Sequence, residues 1–168
     1  EYNDLDFHLG YAYFEKATPY TNVKSYNVIN QKNDLDKSIQ YFRNYIHQLD
    51  FSDSSRYHSA LVRIADAYFV LKNDSLAIEN YQKSLNVEGI NHSYALYQLS
   101  TSQGLIQDYD GKMETLQKLT DEYPESRYQV LSLLNLAQTY KDLEKNTEAI
   151  NTYLKFIDEY PNNNFIST

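Results

Sequence analysis

The 168-residue sequence has no cysteine and no tryptophan, and only four glycines, three prolines and one methionine. Without cysteine there are no disulfides, no thiolate zinc site and no cysteine nucleophile. That absence does not fix a compartment, because many extracytoplasmic proteins also lack the residue. Scarce glycine and proline argue against a turn-rich all-β fold and for helices. No apolar run approaches the roughly 20 residues that a membrane span needs. Cations are in deficit, with 15 Lys and Arg against 23 Asp and Glu, a formal net charge of −8. This disfavours electrostatic binding to nucleic acid or to an anionic membrane surface. No signal peptide is visible. The chain begins mid-pattern at Glu1 and reads as a fragment, which leaves a removed leader or lipid anchor open. What is abundant is tyrosine, with 18 residues. The length suits one domain or a short repeat array, and roughly 70% of the unfolded surface can be buried at this size.

Internal repetition organises the chain. Leu61, Ile64, Ala65, Tyr68, Ala77, Tyr81 and Gly89 recur at identical offsets as Leu133, Leu136, Ala137, Tyr140, Ala149, Tyr153 and Pro161. Leu96, Leu99, Ser100, Gln103, Lys112, Leu116 and Pro124 occupy the same offsets between them. An earlier copy has Leu9, Gly10 and Tyr13, then Ser38 and Phe42, with Asp50 in the closing slot. Its two halves stand 32 residues apart from Asp6 to Ser38, where the other copies use 16. The first copy therefore carries an insert at residues 16–31. Thr18, Pro19, Tyr20 and Asn22 in it read as a turn or loop, followed by a polar stretch holding Val23, Tyr26, Val28 and Ile29.

These slots resemble the tetratricopeptide repeat, W-x2-L-G-x2-Y…A-x3-F…P, with its period of about 34 residues. Gln103 and Lys112 depart from the pattern, and a slipped register with Gly111 as the small residue is one repair. The resemblance implies an all-α, α-α superhelical solenoid of about four helix-turn-helix repeats, at residues 1–50, 56–89, 91–124 and 127–161. Pro161 to Phe165 resembles Pro124 to Tyr128, so the array is expected to continue beyond Thr168. Asp-Glu-Tyr-Pro at 121–124 and 158–161 also resembles repeats of bacterial cell-envelope proteins. Among these are the accessory factor of the Tol–Pal system and outer-membrane-assembly lipoproteins. A periplasmic or outer-membrane-associated bacterial protein is implied, with a cytoplasmic one as the alternative.

The residues themselves support paired helices. Apolar positions recur three and four apart, as in Leu61, Ile64, Ala65 and Tyr68. Ala65 facing Ala77, and Ala137 facing Ala149, let the helices approach to about 8 Å. Tyr13, Tyr68, Tyr81, Tyr140 and Tyr153 are expected to pack beside them. Asn73, Asp108 and Asn146 are expected to start the second helices, and Pro124 and Pro161 to follow their ends.

Catalysis has little support. There is no phosphate loop, HExxH helix or GxSxG elbow. His8, His47, His58 and His92 do not pair at helical metal-ligand spacing. Asp108-Tyr-Asp110-Gly111 lacks the further ligands of a calcium loop, since Leu119 takes the twelfth place. No catalytic residue, metal or cofactor is assigned, and the chain is expected not to be an enzyme.

Function is then expected in binding. In the resembled family, the first helix of each repeat lines a concave groove. Carried over, the lining residues are Phe7, Tyr11 and Phe14, then Val62, Asp66 and Phe69. They continue with Tyr94, Tyr97 and Thr101, and end with Leu134, Gln138 and Lys141. Aromatic rings with a polar end suit a peptide or protein segment. The basic clamp of the family's chaperone-tail binders is missing from these positions. The reading is a non-catalytic protein-interaction or scaffolding module. One rival is a regulatory or substrate-docking module of a larger enzyme. Another is a purely structural stretch of a long, self-associating array.

Overall fold

The computed structural model describes residues 2–18, 28–48 and 53–161, without the side chains of residues 2 and 3. These residues form eight helices and, among them, no strand. The chain divides into two compact units, Glu1–Ile90 and Asn91–Thr168. The first unit holds α1 (Tyr2–Ala17), α2 (Val28–Gln48), α3 (Ser54–Val70) and α4 (Asp74–Ser84). The second holds α5 (Ser93–Leu105), α6 (Tyr109–Glu122), α7 (Gln129–Asp142) and α8 (Asn146–Glu159). Each unit is two helical hairpins, α1/α2 with α3/α4 and α5/α6 with α7/α8, and α2 packs on α3 as α6 packs on α7.

The small-residue slots explain the close pairing. Gly10 is buried, and a Cβ there would stand 2.9 Å from the ring of Phe42 on α2. The Ser38 hydroxyl donates to the Gly10 carbonyl at 2.8 Å. Ala65 and Ala77 are both fully buried, as is Ala137, with Ala149 nearly so. In the first unit Leu35, Ile39, Phe42 and Tyr45 of α2 join Ala60, Ile64 and Ala67 of α3 in one core. In the second unit Met113 and Leu116 of α6 meet Leu136 of α7. Of the five tyrosines expected to pack, Tyr81 is fully buried, whereas Tyr13, Tyr68, Tyr140 and Tyr153 are half-buried.

Three hairpins turn in one way. Lys72, Gln107 and Glu144 sit at equivalent positions with φ of 60°, 63° and 58°. The next residue's amide donates back to the helix, from Asn73 to Tyr68, Asp108 to Gln103 and Lys145 to Tyr140, each at 2.9 Å. This left-handed turn satisfies carbonyls that the helix end leaves open. Asn73 then caps α4 by accepting from the Leu76 amide, and Asp108 caps α6 by accepting from Gly111. The expected cap at Asn146 is corrected. The same register puts Lys145 in the cap position, where its side chain makes no capping bond, and Asn146 is the first helical residue. α6 and α8 stop at Glu122 and Glu159, two residues before Pro124 and Pro161.

The insert is also redrawn. Lys16 and Ala17 belong to α1, and Val28 to Gln31 belong to α2, so both arms of this hairpin are lengthened. Gln31 donates to the Ala17 carbonyl at 3.0 Å, and Lys16 pairs with Asp34 at 2.9 Å. The turn expected at Pro19 to Asn22 lies outside the described residues, as do Val23, Tyr26, Asp50 and the step after Pro161.

The third repeat keeps its register despite its two departures. Gly104 makes room for Lys112, whose Cδ would lie 3.3 Å from a Cβ there. Gly111 makes room for the buried Gln103, whose Nε2 would lie 2.6 Å from an added Cβ. Two glycines next to the regular slots thus accommodate two oversized polar residues.

Candidate protein-binding surfaces

In the first unit, α3 contributes two arginines that lie over the aromatic row of α1. Arg56 sits 5.5 Å from the Phe7 ring centre. Arg63 sits 5.6 Å from Tyr11 and 5.4 Å from Phe14. They are seven residues apart, two helical turns, so they meet the row at matching intervals. A guanidinium over a ring is held by the ring quadrupole, worth roughly 0.5–1 kcal/mol when exposed. Their charges are already answered. Arg63 donates to Asp66 at 2.6 Å, and Arg56 pairs with Asp4 and Asp53. The Asp4 carboxylate raises the Arg56 guanidinium above its usual range.

This arrangement changes the part assigned to several residues. Phe7 packs against Phe42 at 5.9 Å and Tyr45 at 4.9 Å. Tyr11 also meets Phe42, at 5.2 Å. Phe7, Tyr11 and Phe14 are half-buried and pack on the hydrophobic core. Asp66 is corrected from a groove-lining residue to an internal one. It is 4% exposed and accepts from the Tyr81 hydroxyl at 2.6 Å and from Arg63. Val62 is likewise buried. A carboxylate is tolerated there because two donors compensate its lost hydration. Phe69 is half-buried, with the Lys72 ammonium 5.7 Å above its ring.

The second unit assembles a tyrosine platform. Tyr94 and Tyr97 lie three apart on α5, and Tyr128 enters from the residue before α7. The Tyr97 and Tyr128 rings stack at 5.0 Å with 21° between planes, and Tyr94 stands 5.9 Å from Tyr128. Arg127 lies 4.9 Å over the Tyr128 ring. Gln98 donates to the Tyr94 hydroxyl at 3.2 Å. Thr101 returns its hydroxyl to the Tyr97 carbonyl at 3.0 Å, which fixes its side chain along its own helix. All three rings are half-buried. On α7, Leu134 is half-buried while Gln138 and Lys141 are exposed. Gln138 donates to Asp142 at 2.6 Å and accepts from Tyr153 at 3.3 Å.

Sequence patterning brought Tyr94 and Tyr97 together but missed Tyr128, Arg127, Arg56 and Arg63. Tyr128 had a signal, as the aromatic four residues beyond Pro124. Arg63 had a weaker one, three residues before Asp66 on one helical face. Among the described residues, no three His, Asp or Glu side chains are placed to hold a metal ion. No described helix is long and apolar enough to cross a membrane.

The helical hairpins with small residues at their crossings define a tetratricopeptide-type repeat fold. A tetratricopeptide repeat family model matches residues 94–126 and 131–163. The crystal structure of MamA is similar, with a TM-score of 0.61 and 18% identity. The likeness covers 81% of this chain and 76% of that one, and it shows the fold. No curated protein matches the chain. Neither likeness supports a link to the Tol–Pal accessory factor or to outer-membrane-assembly lipoproteins.

Proposed function

We propose that the chain is a non-catalytic protein-interaction module that binds a peptide or protein segment on the first helices of its repeats. Tetratricopeptide repeats generally mediate protein–protein interaction. The observation that carries the reading is the platform of Tyr94, Tyr97 and Tyr128 with Arg127 over it. Tyrosine and arginine are the residue types that dominate binding hot spots. Three rings held against each other lose little side-chain entropy when a partner lands on them. The first unit contributes less, because its arginines and carboxylates already neutralise one another. Gln138 and Lys141 offer polar contacts at the rim.

A displayed random-peptide library selected on the intact chain tests this. The counter-target is a Tyr94→Ala/Tyr97→Ala variant whose helicity matches wild type. Peptides that bind wild type at least about tenfold more tightly than the variant support the reading, a loss of about 1.4 kcal/mol. No enriched peptide, or peptides indifferent to the variant, overturns it.

A further inference from the structure

Lys112 puts an ammonium where the repeat elsewhere has a small side chain. Its equivalents are Ser38, Ala77 and Ala149, at 0%, 0% and 4% exposure. Gly104 on α5 makes this possible, since the other first helices carry Phe14, Phe69 and Lys141 at its position. The lysine lies along the opened backbone, and its Nζ is 3.7 Å from where a Gly104 Cβ would stand. Among the described residues two lysines are half-buried, Lys112 and Lys155. Lys155 pairs with Asp121 at 3.7 Å. The Lys112 side chain has no hydrogen bond and no ion pair among the described residues. A partly desolvated ammonium without an acceptor is costly, and its neutral form is correspondingly favoured.

The charges around it do little to oppose this. α6 packs against α5 and α7. α5 carries no charged side chain, and its phenols are Tyr94 and Tyr97. α7 carries Tyr140, Lys141 and Asp142. Along α6 itself stand Tyr109, Asp110, Glu114 and Lys118, with the Asp108 cap before them. Burial lowers the Lys112 ammonium below its usual range, and the attraction of Asp142 only partly restores it. More of this amine is therefore unprotonated near neutral pH than of an exposed lysine, and the desolvated free amine is the nucleophilic form. The side chain is half-buried rather than sealed, so a small reagent reaches it. Leu105, next to Gly104, and Tyr109, three residues before Lys112, are 55% and 40% exposed. The same hairpin turn thus offers apolar surface beside the amine.

We propose that Lys112, held against Gly104 without a polar partner, is a covalent modification site that takes an acyl group from an activated ester or thioester. Its Nζ attacks the acyl carbonyl carbon. The new C–N bond forms as the bond from that carbon to the leaving oxygen or sulfur breaks. The leaving group departs with the electron pair, and the nitrogen gives up a proton to water. The product is a neutral amide, so the half-buried charge at the α5/α6 crossing is removed. Acylation then relieves a cost in the fold of the second unit. This site is separate from the tyrosine platform and does not depend on it.

The probe is the N-hydroxysuccinimide ester of acetic acid, added in trace amount to the intact protein near neutral pH. Peptide mapping by mass spectrometry reads the acetylation rate at each lysine. Lys112 should react at least about threefold faster than the exposed Lys32, Lys118 and Lys141, because a larger share of it is free amine. The preference should vanish when the chain is unfolded in urea, where all lysines are equally hydrated. Asp142→Asn removes the one attraction that favours the ammonium and should raise the Lys112 rate further. Asp142 is exposed, an asparagine there still accepts from Gln138, and circular dichroism checks the variant's helicity. A Lys112 rate no greater than that of the exposed lysines overturns the proposal. So does a preference that survives in urea, or a rate that Asp142→Asn fails to raise.

Discussion

Gly10 illustrates how one missing atom sets helix spacing. Replacing it with alanine should gain about 1 kcal/mol of helix propensity. The new methyl would meet the Phe42 ring, which is fully buried and surrounded by core residues. Overpacking of that kind costs typically 1–3 kcal/mol, so Gly10→Ala should lower stability on balance, read as a fall in the urea midpoint. Tyr81 makes a second residue-level case. Its hydroxyl is one of the donors that keep the Asp66 carboxylate buried. Tyr81→Phe keeps the ring and removes that donor, and should cost about 1–3 kcal/mol by chemical denaturation. The ring's packing part was legible from its slot in the repeat. The hydroxyl's part was not, because a lone aspartate on a helix reads as a solvent-facing residue. Only the fold shows Arg63 and Tyr81 converging on Asp66 from two helices.

At the scale of the element, the three equivalent hairpin turns each place a side chain in the left-handed region, at Lys72, Gln107 and Glu144. That conformation costs an L-residue roughly 1–2 kcal/mol, and glycine adopts it freely. Glu144 is exposed, so Glu144→Gly touches no packing. The relief is partly offset by glycine's greater freedom in the unfolded chain. A net gain of about 0.5–1 kcal/mol is expected, visible as a raised thermal midpoint. Absence of any gain would show that the turn is not strained. These turns explain why helix boundaries were only partly legible. Asn73 and Asp108 announce their caps by side-chain chemistry. The fourth hairpin uses the same backbone turn with Lys145 at the cap, and nothing in a Glu-Lys pair marks it. The lengthened arms of the first hairpin were hidden for a related reason. Val28 and Ile29 are exposed, so no periodic apolar signal extends the helix back to them.

For the whole molecule, the repeated slots made the fold legible because each marks a helix crossing that recurs. The binding surface was less so, since half-buried rings serve packing and recognition with one chemistry. The abundance of tyrosine has a further consequence in alkaline solution. Burial raises the phenols of Tyr45, Tyr140 and Tyr160 above their usual 10.0. Above about pH 10 the unfolded chain releases these protons while the folded chain retains them. The folded state then binds more protons, and stability falls as pH rises through that range. Lys112 acts in the opposite sense, because burial lowers its ammonium below 10.5 despite the attraction of Asp142. Between its folded value and 10.5 the unfolded chain holds the extra proton, so this residue's contribution rises with pH. The tyrosines outnumber it, and the urea midpoint should decline from about pH 10 upward. Lys112→Met retains most of the stem beside Gly104 and removes the opposing group. Its stability should exceed wild type near neutral pH, where wild type carries a partly buried ammonium, and that advantage should shrink as pH approaches 10.5. A constant difference between the two proteins across that range would show that Lys112 titrates alike in the folded and unfolded chains.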